Sequence, residues 1–76
     1  MKYFAVLDKK KLKEAKLTAL DWAILRKCDG IGMHVTRLIK AGKPYLNSAG
    51  SKEFATTDDI VTAIRKLQKL GFLERR

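Results

Sequence analysis

The sequence has 76 residues, which is room for one domain spanning 1–76 and no second core. Seventeen Lys and Arg stand against eight Asp and Glu, a net charge of +9, and like charges repel in a compact state, so the excess makes sense where the partner is a polyanion. An apolar share of 46% excludes a disordered, charge-dominated tail, and no apolar run approaches the roughly 18 residues of a membrane span.

Tyr3-Phe4-Ala5-Val6-Leu7 is rich in aromatic and branched residues and predicts a short strand over 3–7. It is too short an apolar run for a secretory leader, which needs roughly 7 to 15 such residues. Next comes a lysine-rich segment over 9–16, either a helical turn or a solvated linker. Thr18-Ala19-Leu20-Asp21 has capping-box spacing, in which a Thr hydroxyl and a carboxylate three residues on satisfy each other's backbone amides. Leu17, Leu20, Ile24, Leu25 and Cys28 then fall at helical spacing, with Trp22 at the edge of the stripe, and Asp29-Gly30 stops the helix.

A second helix is predicted from about 33 to 41, with Val35, Leu38 and Ile39 inward; Gly42 and Pro44 end it. Residues 43–56 hold turn chemistry at Asn47-Ser48-Ala49-Gly50-Ser51, flanked by Tyr45-Leu46 and Phe54-Ala55. They predict either a short hairpin or a loop pinned by its aromatics. A third helix starts at a Thr56 or Thr57 cap and runs through Leu70, with Ile60, Ile64, Leu67 and Leu70 on its core face and Val61 beside it. Gly71 closes it, and residues 72–76 predict a final strand. The expected class is mainly α with a small β component, three helices and a short sheet.

In this order the pieces resemble a known pattern. Leu17-Thr18 followed by Asp21, Ile24 and Leu25 resembles the opening of winged helix-turn-helix domains. The run Ile64-Arg65-Lys66-Leu67-Gln68-Lys69-Leu70-Gly71-Phe72-Leu73-Glu74-Arg75 is similar to their recognition helix running into the first wing strand. Two features depart from that family: about 14 residues separate the second and third helices, where a tight turn is usual, and the chain ends where a wing hairpin would turn back. The final strand therefore needs another partner, and residues 3–7 are the candidate, because an isolated strand leaves its own backbone unsatisfied. The 43–56 segment is the candidate for a substitute wing.

The resemblance implies duplex DNA as partner and the third helix as the element lying in the major groove. Thr62, Arg65 and Lys66 would then read base edges, and Lys69, Arg75 and Arg76 would contact phosphates. Arg37, Lys40, Lys43 and Lys52 extend that footprint if they share a face. The same cations also complement the helix macrodipole, and Asp58-Asp59 do so at the other end, where they would repel phosphate. Tyr45 and Phe54 either stack on bases or, the favoured reading, pin their loop to the core.

Catalysis has little to stand on. His34 and Cys28 are the only residues of their kinds, Cys28 sits on an apolar stripe, and no cluster of three or four metal ligands exists. Asp58-Asp59 read as helix-start residues and Gly30-Ile31-Gly32 lacks the spacing of a phosphate loop. The expectation is a non-enzymatic protein without metal or cofactor. A lone cysteine fits a reducing compartment, hence a cytoplasmic or nucleoid-associated protein.

Within that expectation, a small transcription regulator or architectural factor leads. An RNA-binding or ribosome-associated module is the second reading, since positive charge does not separate DNA from RNA. A protein–protein docking domain is the third, with Trp22 or Tyr45 exposed as an anchor. A homodimer would have to use the first strand, the 9–16 segment or the 43–56 loop.

Overall fold

In the computed structural model, which describes residues 2–76, half of the chain is helical. The elements in order are β1 (Lys2–Ala5), α1 (Lys9–Glu14), α2 (Ala19–Cys28), β2 (Met33–His34), α3 (Val35–Gly42), β3 (Pro44–Leu46), β4 (Lys52–Phe54), α4 (Thr57–Leu70) and β5 (Leu73–Arg75).

Both long helices begin as their sequences dictate. The Thr18 hydroxyl accepts from the Asp21 amide at 3.3 Å while the Asp21 carboxylate accepts from the Thr18 amide at 3.0 Å. Thr56 and Asp59 repeat the arrangement at the start of α4, both contacts 3.1 Å long. The end of α4 is a left-handed glycine cap. Gly71 has φ +85°, its amide donates to the Gln68 carbonyl, and the Phe72 amide donates to Leu67, which satisfies carbonyls the helix leaves open. A side chain at 71 would be strained by that φ.

The core is built where the stripes meet. Ile24, Leu25 and Cys28 of α2, Leu38 of α3, and Ile60, Ala63, Ile64 and Leu67 of α4 are buried together with Tyr3, Ala55, Phe72 and Leu73. Trp22 packs at the edge of this cluster, as its position off the stripe implies.

Three strands form one antiparallel sheet in the order β2-β1-β5. β1 is therefore central, with Tyr3 opposite both Met33 and Arg75. The pairing extends to the end of the chain, where Lys2 and Arg76 exchange both backbone hydrogen bonds at 2.7 and 2.8 Å. The amino-terminal strand thus occupies the place beside β5, and the 43–56 segment independently forms a hairpin, β3 against β4, with Tyr45 opposite Glu53.

Several boundaries differ from the sequence expectation. The first strand covers Lys2–Ala5 rather than 3–7: its partner β5 begins at Leu73, opposite Ala5, and beyond it only the Val6 amide still donates across, to the Phe72 carbonyl at 2.8 Å. The lysine-rich segment folds as a fourth helix, capped by the Asp8 carboxylate, which accepts from the Lys10 amide, and held by Leu12 and Ala15 against the core. Residues 33–34 are drawn into β2 by the edge of β1, so the second helix starts at Val35. Val35 and Leu70, assigned to core faces, are exposed at 39% and 44%: each lies at the end of its helix, at the edge of the core rather than inside it.

Candidate nucleic-acid interface

Lys66 aside, the cations singled out in the sequence fall into three groups. Arg65 of α4 and Arg75 of β5 line one groove of about 270 Å³, together with Tyr3, Val35, Val61, Ile64 and Gln68. Helix and strand converge here because Tyr3 pairs with Arg75, so both side chains lie on the helix-facing side of the sheet. Thr62 is exposed on α4 nearby in sequence, and Lys69 is exposed in its last turn.

Lys66 turns the other way. Its ammonium lies 2.8 Å from Oδ2 of Asp21 on α2, a carboxylate only 2% exposed. A buried charge needs a partner, and Lys66 is that partner. Neighbouring positions on a helix surface point about 100° apart, so Arg65 and Lys66 serve different faces.

Arg37 and Lys40, one turn apart on α3, line a cleft of about 630 Å³ with Lys2, Gly32, His34 and Thr36. This cleft lies on the outer face of the sheet. Lys2, Phe4 and Arg76 alternate with the inward Tyr3, Ala5 and Arg75, and Lys2 pairs with His34. Arg76 is held on that face by Glu74 at 3.0 Å and by the Phe4 ring, whose centroid lies 5.3 Å from the guanidinium carbon.

Lys52 belongs to the hairpin, its ammonium 5.6 Å from the Phe54 ring centroid. Lys43 precedes the hairpin and its carbonyl accepts from the Ala55 amide at 2.7 Å, which closes the hairpin's base. The hairpin's two faces differ. Tyr45 packs toward the core, its hydroxyl donating to Glu53 at 2.9 Å, while Asn47 donates to the other carboxylate oxygen at 3.0 Å. These two bonds hold the Glu53 carboxyl below its ordinary range, Asn47 contributing more than Tyr45, and the Glu53 bond pushes the Tyr45 hydroxyl up. Phe54 is 74% exposed and Leu46 63% exposed on the opposite face. Tyr45 thus pins the hairpin as expected, and Phe54 does not: strand alternation places it outward.

The other singled-out residues take structural places. Cys28 is wholly buried among α2, α3 and α4 side chains, and burial pushes its thiol up to about 11. Asp59 is engaged by its own helix cap. Trp22 is half-buried. Among the described residues there is no group of three or more His, Cys, Asp or Glu able to hold a metal ion, and no helix is long and apolar enough to cross a membrane.

Lys2, His34 and Thr36 were not singled out as interface residues, yet they line the larger cleft. Only the pairing of β1 with β2 brings them to Arg37 and Lys40, and a two-residue strand leaves almost no trace in a sequence. The chain matches no family model, and no curated protein or solved structure is significantly similar to it.

Proposed function

We propose that this chain is a small, non-enzymatic nucleic-acid-binding domain of winged-helix type, taking duplex DNA against α4 and the basic surface around it as a transcription regulator or architectural factor. The observation that carries this reading is where the carboxylates go. Of the eight in the sequence, five have local duties: Asp8 caps α1, Asp21 caps α2 and holds Lys66, Glu53 ties the hairpin, Asp59 caps α4, and Glu74 pairs with Arg76. Two of these five also pair with a cation, Asp21 with Lys66 and Glu74 with Arg76, and all eight together still leave a net charge of +9. A surface so left favours a polyanion through counterion release.

The element order adds support. The pair α2 and α3 precedes α4, with α1 as an additional helix before them; α4 runs directly into β5, and a strand lies beside β5 where the resemblance requires a returning wing strand. That strand comes from the amino terminus, and the β3-β4 hairpin adds a projection carrying Lys52. In this reading Arg65 and Arg75 contact the nucleic acid from their shared groove, with Thr62 and Lys69 beside them on α4. Lys66, engaged with Asp21, is withdrawn from base reading. The acidic first turn of α4, Asp58 and Asp59, directs the contact toward the helix's second half.

The test is a titration of the chain against mixed-sequence duplex DNA, single-stranded DNA and RNA at several salt concentrations. The expected result is tightest binding to duplex, log K falling with log salt by about 0.9 per phosphate contact, and weakening by Arg65→Ala and Lys69→Ala. No affinity for any of the three at low salt would overturn the reading, and preference for RNA would move it to an RNA-binding module on the same surface.

A further inference from the structure

We infer that the outer face of the β2-β1-β5 sheet carries a second anion site, a phosphate-binding cleft formed by Lys2, His34, Thr36, Arg37 and Lys40. Three elements meet there. Lys2 comes from the central strand, His34 from the edge strand paired to it, and Thr36, Arg37 and Lys40 from the first turns of α3. At about 630 Å³ the cleft is more than twice the size of the Arg65–Arg75 groove. Among the described residues that line it, three carry a fixed positive charge, one is a histidine, one offers a hydroxyl, and none is a carboxylate.

Such a set is costly to gather unless an anion takes up the charge. Three cations facing one concavity repel each other, and the nearest acid on this face of the sheet, Glu74, is bound to Arg76. Arg37 and Lys40 lie one helical turn apart, so they reach the cleft together. Arg offers the planar fork that suits phosphate oxygens and Lys a mobile point charge, while Thr36 adds a neutral donor. The start of α3 adds to the same field, since its cap residue His34 makes no side-chain hydrogen bond to the helix. The charge cluster around the cavity carries the inference, and the helix end only reinforces it.

The floor of the cleft explains an otherwise odd residue. A Cβ at position 32 would lie 2.8 Å from both Cε1 and Cε2 of Phe4. Gly32 lets the Phe4 ring lie against the backbone just before β2, beneath Arg76, and a larger residue would push the ring away.

The ligand chemistry is a phosphate group, and two sources supply it: a phosphodiester backbone, or a free phosphoryl compound. The inference goes beyond the α4 reading and does not depend on it, because the cleft and the α4 groove share no residue. If both bind backbone, one domain contacts nucleic acid on two sides, which suits an architectural protein.

The experiment follows the amide resonances of the full chain by NMR. One arm adds inorganic phosphate against chloride at matched ionic strength; the other adds a short mixed-sequence duplex. The expected result is saturable movement of the Gly32, Thr36 and Arg37 amides in at least one arm. That movement should vanish in Arg37→Gln/Lys40→Gln, whose two changes are exposed and leave the fold intact, and survive in Arg65→Ala. Movement with phosphate assigns a free phosphoryl ligand; movement with duplex alone assigns the backbone, and the double variant then lowers the salt slope by about 0.9 for each phosphate it no longer neutralises. Still amides in both arms, or movement that persists in the double variant, would overturn the cleft. Loss of duplex binding in Arg65→Ala with the cleft response retained separates its fate from that of α4.

Discussion

Lys66 and Asp21 are joined at 2.8 Å, with the Asp21 side chain buried and the Lys66 side chain 41% exposed. Asp21 also accepts from the Thr18 amide, so one side chain caps α2 and ties it to α4. Removing one partner of such a pair is worse than removing both, because the survivor keeps its desolvation cost. Lys66→Met is expected to cost about 1 to 3 kcal/mol in urea unfolding, solvent access to the lysine keeping the value below that of a fully buried pair. The double variant Asp21→Asn/Lys66→Met should be less destabilised than the sum of the single changes. Strict additivity would show that the pair contributes nothing.

Gly32 and Phe4 make the second coupled pair. Any side chain at 32 pushes the ring away from this backbone, and crowding of this kind costs about 1 to 3 kcal/mol. Gly32→Ala is therefore expected to lower the unfolding midpoint and to take Phe4 away from Arg76. In a Phe4→Ala background the same change should be close to neutral. An equal cost in both backgrounds would place the penalty in this backbone rather than in the ring.

Much of the frame was legible in the sequence because its signals are local. The Thr18–Asp21 capping box, the threonine cap at 56 or 57, the Gly71 stop and the apolar stripes of α2 and α4 act over three to five residues. The structure reproduces them, with Thr56 as the cap and Asp59 completing a second box that lies outside the sequence expectation. The docking of the first strand beside the last followed from the need of β5 for a partner. What stayed hidden depends on contacts distant in sequence. The two residues of β2 are strand only because β1 lies beside them. Asp21 and Lys66, 45 positions apart, each had a sufficient local reading, as a cap and as an outward cation, and nothing local marks the bond between them. The outer cleft escaped for the same reason, since Lys2 and Arg37 meet only through the sheet.

Cys28 gives a pH dependence with a definite sign. Burial raises its folded pKa from an ordinary 9.0 to about 11. Above pH 9 the unfolded chain loses the thiol proton while the folded chain keeps it, so stability falls as pH rises. The thiol's contribution is complete below pH 9 and lost between 9 and 11. Cys28→Ala is expected to be less stable than the parent by about 1 kcal/mol at pH 7, because the smaller side chain packs less well. The gap should narrow across that window as the parent loses its advantage. Parallel stability curves from pH 8 to 11 would show that the thiol titrates alike in both states.

The hairpin separates stability from binding, because its two aromatics face opposite ways. Tyr45 packs against the core and its hydroxyl holds Glu53, so Tyr45→Ala should destabilise the domain and loosen β3 from β4. Phe54 is 74% exposed, so it brings little burial, and Phe54→Ala is expected to change stability by less than about 0.5 kcal/mol. The ring stands beside Lys52, and that pairing makes the hairpin's outer face a candidate contact for the nucleic acid. If the hairpin serves as a wing, Phe54→Ala should weaken duplex binding severalfold with the salt slope unchanged, since an apolar or stacking contact releases no counterion. Lys52→Ala should weaken it while lowering that slope. Binding untouched by either change, with stability intact, would take the hairpin out of the interface and leave α4 and β5 to carry it.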